Sequence, residues 1–410
     1  MIKLGQIDEN EGKLMALHNE KMKNAILIAG IVLVAFNLRP SITAVGPVIS
    51  DIRLDTGMSN GAAGLLTTVP LLAFALLSPL APKIAQRSGN EWTVFGGLLL
   101  LGIGIAIRPT DLVYLLFFGT LLVGAGIAIC NVLLPGIVKN RFLKVGMITG
   151  AYTLSMNFMA SLGSGISVPL AHGLELGWKN GLLFWGIFTV IALLAWIPQL
   201  RKKEQTEDIV KPNPAKSSLL KSKIAWQVTF FMGLQSFLFY CLIAWLPEIL
   251  VSRGIDISTA GWMVSIMQIA GLPTAFLAPY LADRYPNQRG IIIVLSTSYI
   301  IGLTLLLFGS NMVILSISIL LAGASQGASI ALSLALLSLR ARDAKQAANL
   351  SGMAQSIGYL LAAIGPFTVG VIFDLFSSWT PSLVLFILVA IAMFAAGLGA
   401  GRDQYVTAED

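Results

Sequence analysis

Long stretches of this chain carry no ionisable side chain, and that feature narrows what it can fold into more than any other. Residues Ala25 to Phe36, Leu98 to Ile107 and Val384 to Ala396 are wholly uncharged, and a helix that crosses a bilayer needs about 20 mostly apolar residues. A large soluble protein with 56% hydrophobic and 11% charged residues would interrupt its apolar runs with polar faces every few positions. These runs are not interrupted. Hydrocarbon, rather than water, is their solvent.

Apolar runs bounded by charge, Pro/Gly or Asn/Ser clusters place twelve helices at about 24 to 50, 61 to 85, 92 to 108, 112 to 138, 146 to 171, 180 to 199, 224 to 250, 259 to 282, 290 to 309, 312 to 339, 348 to 373 and 381 to 400. The first 23 residues are polar and mixed in charge, so they do not form a cleavable leader, and the first apolar segment is too long for a signal h-region. Lys and Arg orient the set, because cytoplasmic loops retain positive charge. Of the 27, 22 fall on the two tails and the loops of the same side, 4 fall on the opposite loops, and the last is Arg39, inside the first helix. Adding or removing one helix would destroy that split, so both termini are expected in the cytoplasm and the chain in the cytoplasmic membrane.

The formal charge of +7 would raise the question of nucleic acid in a soluble protein. Here the basic residues are spread over short loops, and no nucleic-acid partner is expected. Cys130 and Cys241 lie within apolar segments, where a disulfide is not expected, and no metal-ligand spacing is present. His18 and His172 fall outside the apolar segments. No metal or other cofactor is implied.

Residues 200 to 223, with seven Lys and Arg around Pro212 and Pro214, are too polar to cross and too proline-broken for one long helix. They read as a cytoplasmic linker, the alternative being a lipid-binding basic patch. The expected organisation is a tail at 1–23, a six-helix bundle at 24–199, the linker at 200–223, a second bundle at 224–401 and a tail at 402–410.

A shift of about 200 residues brings like features together. Ala44 and Pro47 meet Ala244 and Pro247, while Gly61, Ala75, Leu77 and Pro79 meet Gly261, Ala275, Leu277 and Pro279. Near the same shift, Gly124 and Ala125 meet Gly323 and Ala324, and Gly150, Ala160 and Gly163 meet Gly352, Ala362 and Gly365. Small residues at these positions suit close helix contact. The run of coincidences, with the linker at its midpoint, argues for duplication of a six-helix unit.

Two six-helix repeats joined by a cytoplasmic linker resemble the major facilitator superfamily, whose halves rock about a central site. Leu281, Ala282, Asp283 and Arg284, followed by Arg289 and Gly290, resemble that superfamily's loop motif. The resemblance implies that Asp283 and Arg284 belong to a conformational latch, against a plain reading as a solvated pair of little energetic consequence. The first-half copy, Ser78 to Lys83, keeps Leu80 and Ala81 but lacks the acid.

An ionisable residue within a span costs about 2.5–3.5 kcal/mol on insertion scales. No acidic residue falls near the middle of a helix, but Arg39 does, next to Pro40, which frees a backbone carbonyl and bends the helix. One reading has Arg39 facing a cavity between the halves, where its guanidinium binds an anionic or strongly polar planar solute. The other has it capping carbonyls beside the proline. Neutral polar groups at similar depth join it as candidate substrate contacts: Asn131, Tyr152, Asn157, Gln235, Tyr240, Gln268, Gln326 and Tyr359. Each could equally bond between helices. Glu248, near the outer end of helix seven, is the nearest candidate coupling acid and reads more simply as interfacial.

The segment Asn37-Leu38-Arg39-Pro40-Ser41-Ile42-Thr43-Ala44-Val45-Gly46-Pro47 resembles the first-helix signature of the cyanate and 2-nitroimidazole porter family. That resemblance implies small planar anions or nitrogen heterocycles as substrates, with Arg39 as anion binder and Asn37 as its neighbour. The fifth helix lacks the Gly-Pro pair of drug/proton antiporters, and Gly365-Pro366 occurs in helix eleven instead. The expectation is an alternating-access secondary transporter, monomeric, with its coupling ion open. There is no Gly-x-x-x-x-Gly-Lys-Ser/Thr loop. A multidrug exporter of the same fold, a sensor and a channel are the alternatives, while a membrane enzyme would need a catalytic cluster that the sequence does not offer.

Overall fold

The structure, a computed structural model, describes residues 22, 24–110, 112–142, 145–201, 219–342 and 344–406. Its long helices are α1 Asn24–Thr56, α2 Asn60–Leu77, α3 Asn90–Ile107, α4 Val113–Arg141, α5 Val145–Val168, α6 Gly177–Leu200, α7 Lys223–Val251, α8 Ile257–Arg284, α9 Arg289–Phe308, α10 Met312–Leu339, α11 Ala344–Phe376 and α12 Thr380–Ala400. Eleven are long and apolar enough to cross a membrane. The twelfth, α5, spans 24 residues but is diluted by Gly, Ser, Thr, Tyr and Asn. Those small and polar side chains lie where α5 meets α8 and the central cavity. The linker residues 202–218, and with them most of the basic-patch alternative, lie outside the described residues, as do residues 1–21 and 407–410.

Local chemistry sets the helix starts. Ser59, Ser222, Asp256 and Asn311 each accept an N–H from the first turn of α2, α7, α8 and α10, satisfying donors that have no intrahelical partner. Two boundaries differ from the sequence expectation by more than five residues. Helix two ends at Leu77 rather than running to residue 85, because Pro79 and Pro82 restart the chain as a short helix, Ala81–Ser88. The first helix runs on to Thr56 but in pieces, broken at residues 36–39 and again near Gly46.

The apolar core is divided. One cluster draws almost wholly on residues 219–406, with Ile49 and Ala63 added. Two others draw on residues 27–196, joined by Tyr240, Ala362 and Ala363. Large apolar side chains such as Val190, Leu194, Val294, Phe308 and Leu388 remain exposed on the outside, the inverse of a water-soluble surface and the face suited to lipid.

Across the halves α2 packs on α11 and α5 on α8. Under the sequence shift α2 corresponds to α8 and α5 to α11, so these are two copies of one contact about a pseudo-two-fold axis. At one end of the bundle, the end remote from the linker, these contacts close. The Asp374 carboxylate of α11 accepts from the Asn60 and Gly61 N–H groups at 3.0 and 2.7 Å and from Asn60 Nδ2 at 2.6 Å. Thr68 donates to the Ala363 carbonyl at 2.6 Å, the Ser161 and Ser265 hydroxyls bond at 2.7 Å, and Ser50 donates to Glu248. Gly64 sets its backbone directly against Pro366 and Phe367. Glu248 is therefore committed to the seal between the halves.

Candidate functional site

Pro40 decides the local shape of α1. It brings no N–H, so the carbonyl four residues back loses its donor, and the ladder tightens just ahead of it. The Asn37 and Leu38 N–H groups bond to Val34 and Ala35, three residues back, at 3.0 and 3.2 Å. Arg39 then leaves the helical region, with φ −129° and ψ −41°, and the helix restarts at Pro40–Thr43. Beyond it the Val45 N–H turns to the Ile42 carbonyl, which leaves the Ser41 carbonyl without its helical donor. Arg108, buried at the end of α3, donates to it through Nη1 at 2.7 Å.

Asn37 and Arg39 stand two residues apart and face different surroundings. Asn37 does not line the central cavity: its Nδ2 donates to the carbonyls of Leu33 and Phe188 at 2.8 and 3.2 Å, and its Oδ1 accepts from Thr189 at 2.8 Å. The expectation that it neighbours Arg39 in a binding site is corrected, because the break turns it into the α1–α6 contact and uses up its hydrogen-bonding capacity. Arg39 is half-buried on the cavity wall. Its guanidinium carbon lies 5.2 Å from the centroid of Phe239 on α7, a cation–π contact across the halves.

The cavity occupies about 1060 Å³, room for a solute far larger than a triatomic ion. Its walls come from α1, α2, α4 and α5 of one half and α7, α8, α10 and α11 of the other, and its mouth includes Ser78, Pro79, Pro82, Leu219, Leu220 and Asn349 near the linker end. Among the described residues Arg39 is the one charged side chain that lines it. No carboxylate among them lies within ion-pair distance of Arg39. A narrower recess beside it is bounded by Arg39, Phe74, Asn131, Phe239, Tyr240 and Tyr359. There Tyr359 meets Phe74 edge to face at 5.7 Å, and Phe239 meets Tyr240 in the same way at 5.0 Å. Flat rings beside a cation suit a flat, electron-rich solute.

The other expected contacts, Asn131, Tyr152, Asn157, Gln235, Tyr240, Gln268, Gln326 and Tyr359, all line this cavity. They are not equivalent. Gln268 is engaged between the halves, its Nε2 donating to Ser164 Oγ at 2.9 Å, whereas Gln235 and Gln326 keep unpaired polar atoms. Phe74, Phe239 and the methionines Met156, Met232, Met267 and Met353 also line it, and none was singled out by sequence. Phe239 carried a usable signal, standing four residues from Gln235 and beside Tyr240. The methionines carried none. Asp283 and Arg284 are exposed at the end of α8, with Arg284 Nη1 3.5 Å from the Tyr280 hydroxyl on its own helix.

A cavity walled by two related bundles, shut at one end and open at the other, defines a membrane transporter. The chain belongs to the Major Facilitator Superfamily, whose model matches residues 31–363 and 228–404. It is 56% identical over 390 residues to an uncharacterized transporter, YycB, of Bacillus subtilis (95% of this chain, 96% of the relative). It is 41% identical over 382 residues to the 2-nitroimidazole transporter of Escherichia coli (93% and 96%), and 25% identical over 349 residues to the cyanate transport protein CynX of the same organism (83% and 88%). The fold is that of the nucleoside transporter NupG, a point mutant of which superposes with a TM-score of 0.77 over 92% of this chain and 100% of that one, at 14% identity. The chain is a multi-pass membrane transporter and not an enzyme.

Proposed function

We propose that this protein is a secondary transporter that moves a small, planar, anionic or strongly polarised solute by alternating access, with Arg39 as its principal charge partner. The observation that carries this reading is the Arg39 guanidinium itself: on the wall of the central cavity, against an aromatic ring, with no carboxylate beside it among the described residues. A charge kept in such a place at such a cost is best neutralised by what enters. The relatives named for 2-nitroimidazole and cyanate support a flat, electron-rich cargo, and the absence of acids from the described cavity wall speaks against cationic drugs.

The charge asymmetry of the loops puts the linker end in the cytoplasm, together with both termini, in the cytoplasmic membrane. The structure then represents the inward-open state. The chain acts as a monomer built of bundles 24–199 and 224–401. Asp283 and Arg284, for which the described residues give no hydrogen bond or ion pair across the halves, latch the mouth when it shuts, and Asn131, Tyr152, Asn157, Tyr240 and Tyr359 contact the solute.

The test is uptake and counterflow in proteoliposomes with cyanate, small aromatic carboxylates and 2-nitroimidazole. Wild type is expected to take up at least one class saturably. Arg39→Ala is expected to abolish that uptake, and Arg39→Lys, which keeps the charge but loses the fork, to retain a minor part. Uptake of neutral or cationic drugs that Arg39→Ala leaves intact would overturn the reading.

A further inference from the structure

The break in α1 leaves two carbonyls without a helical donor, one on either side of Arg39. The Asn37 N–H has turned to Val34 and the Val45 N–H to Ile42, so the Leu33 and Ser41 carbonyls need partners from elsewhere. Side chains supply both. Asn37, 2% exposed, donates its own Nδ2 to Leu33 at 2.8 Å and is itself held by Thr189 and the Phe188 carbonyl of α6. Arg108, also 2% exposed, donates Nη1 to Ser41 at 2.7 Å. The fold makes room for that reach: a Cβ at Gly119 on α4 would lie 2.8 Å from Arg108 Cγ, and glycine leaves the stem its space.

A buried guanidinium is costly unless it is paired and fully hydrogen-bonded. Arg108 is neither. No carboxylate among the described residues lies within ion-pair distance of it, and its Nε and Nη2 make no hydrogen bond. Its one bond goes to the carbonyl two residues from Arg39. From this we infer that Arg108 and Asn37 are positioning residues for Arg39: they hold the α1 break from its two ends and so keep the Arg39 guanidinium over Phe239 on the cavity wall. This rests on the function proposed above in one respect, the part given there to Arg39.

Break and contact are linked by rotation. Without Arg108, the unsatisfied Ser41 carbonyl recovers the Val45 N–H, whose bond to Ile42 is long at 3.3 Å, and the tight turn relaxes into α-helix. A 3₁₀ turn advances about 120° per residue and an α turn about 100°. Each residue converted therefore rotates the preceding segment by about 20°, which moves a side chain at a radius of about 5–6 Å by about 2 Å. The Arg39 guanidinium carbon stands 5.2 Å from the Phe239 centroid, and attraction to a ring face extends to about 6 Å. A shift of that size takes it off the ring. Loss of Asn37 frees the other end of the break in the same way.

The reactivity of Arg39 itself is the test, because it needs no transported solute. Purified full-length protein is treated with phenylglyoxal, which modifies arginine, and the rate at Arg39 is read by mass spectrometry of its peptide. Arg108→Met and Asn37→Leu are each expected to raise that rate by about two- to five-fold, the equivalent of a lost cation–π contact. Arg108→Lys, which still offers Ser41 a charged donor, is expected to stay near wild type. Arg253→Ala removes a comparable carbonyl cap in the second half and is expected to lower the melting temperature without changing the rate at Arg39. The positioning role is overturned if the folded Arg108→Met and Asn37→Leu proteins keep the wild-type rate, or if Arg253→Ala moves it as far. Should Arg108→Met not fold, Asn37→Leu carries the same expectation from the other end of the break. Uptake of 2-nitroimidazole keeps the two claims apart: if Arg39→Ala leaves it unchanged while the Arg39 modification rate still follows Arg108, the charge-partner reading falls and the positioning role stands.

Discussion

Replacing Gly64 by alanine adds one methyl group at a contact that exists in one half of the transport cycle. In the observed state a Cβ at Gly64 would lie 2.8 Å from the Pro366 carbonyl carbon and 3.0 Å from Phe367 Cα, with the carbonyl oxygen nearer still. Carbon atoms pack best at about 3.5–4.0 Å, so α2 and α11 must part by about 0.5–1 Å, and they meet there backbone to backbone with no flexible side chain to yield. Overpacking of this kind costs about 1–3 kcal/mol. When the sealed end opens, the methyl faces solvent and the cost vanishes, so the whole penalty falls on the observed state. A free-energy difference of that size shifts the two populations by about 5- to 150-fold toward the state in which the sealed end is open. Spin labels at Leu54→Cys and Leu375→Cys, exposed positions near the sealed end of either half, would report it as a longer distance population. The native Cys130 and Cys241 are buried and stay unlabelled. Gly126→Ala is the control. Its Cβ would meet Leu101 N at 2.8 Å, but between α3 and α4 of one half, so it should lower the melting temperature and leave the distances alone. An unchanged distribution in Gly64→Ala, or the same shift in Gly126→Ala, would refute the idea that this seam sets the equilibrium.

Two further outcomes follow from other contacts. Asp374→Ala removes the acceptor of three bonds at the start of α2; because that carboxylate is exposed, solvent competition leaves about 1 kcal/mol, and the same spin labels should show a shift in the direction of Gly64→Ala but smaller. Arg253→Ala loses donors to the Gly309 and Leu307 carbonyls at 2.9 and 2.8 Å, which cap the end of α9 within one half. Stability measured by thermal unfolding should fall by about 1–3 kcal/mol, with solute affinity unchanged.

The sequence determined the twelve spans, the repeat and the lone Arg39, because the cost of placing a side chain in hydrocarbon belongs to that side chain and hardly depends on its neighbours. It could also nominate the polar residues at cavity depth, since depth follows from counting along a helix. It could not say which way each one faces. Asn37 and Arg39 are two residues apart and both polar, and the break at Pro40 sends one into the α1–α6 contact and the other onto the cavity wall. Nor could it separate Gln268, tied to Ser164, from Gln326, tied to nothing, or commit Asp374 and Glu248 to the seal. Those distinctions depend on which surfaces of two bundles some 200 residues apart come into contact. Only the packed tertiary structure decides that, because hydrogen bonds act over a few ångströms and the identity of a partner carries no trace in the spacing of residues along the chain.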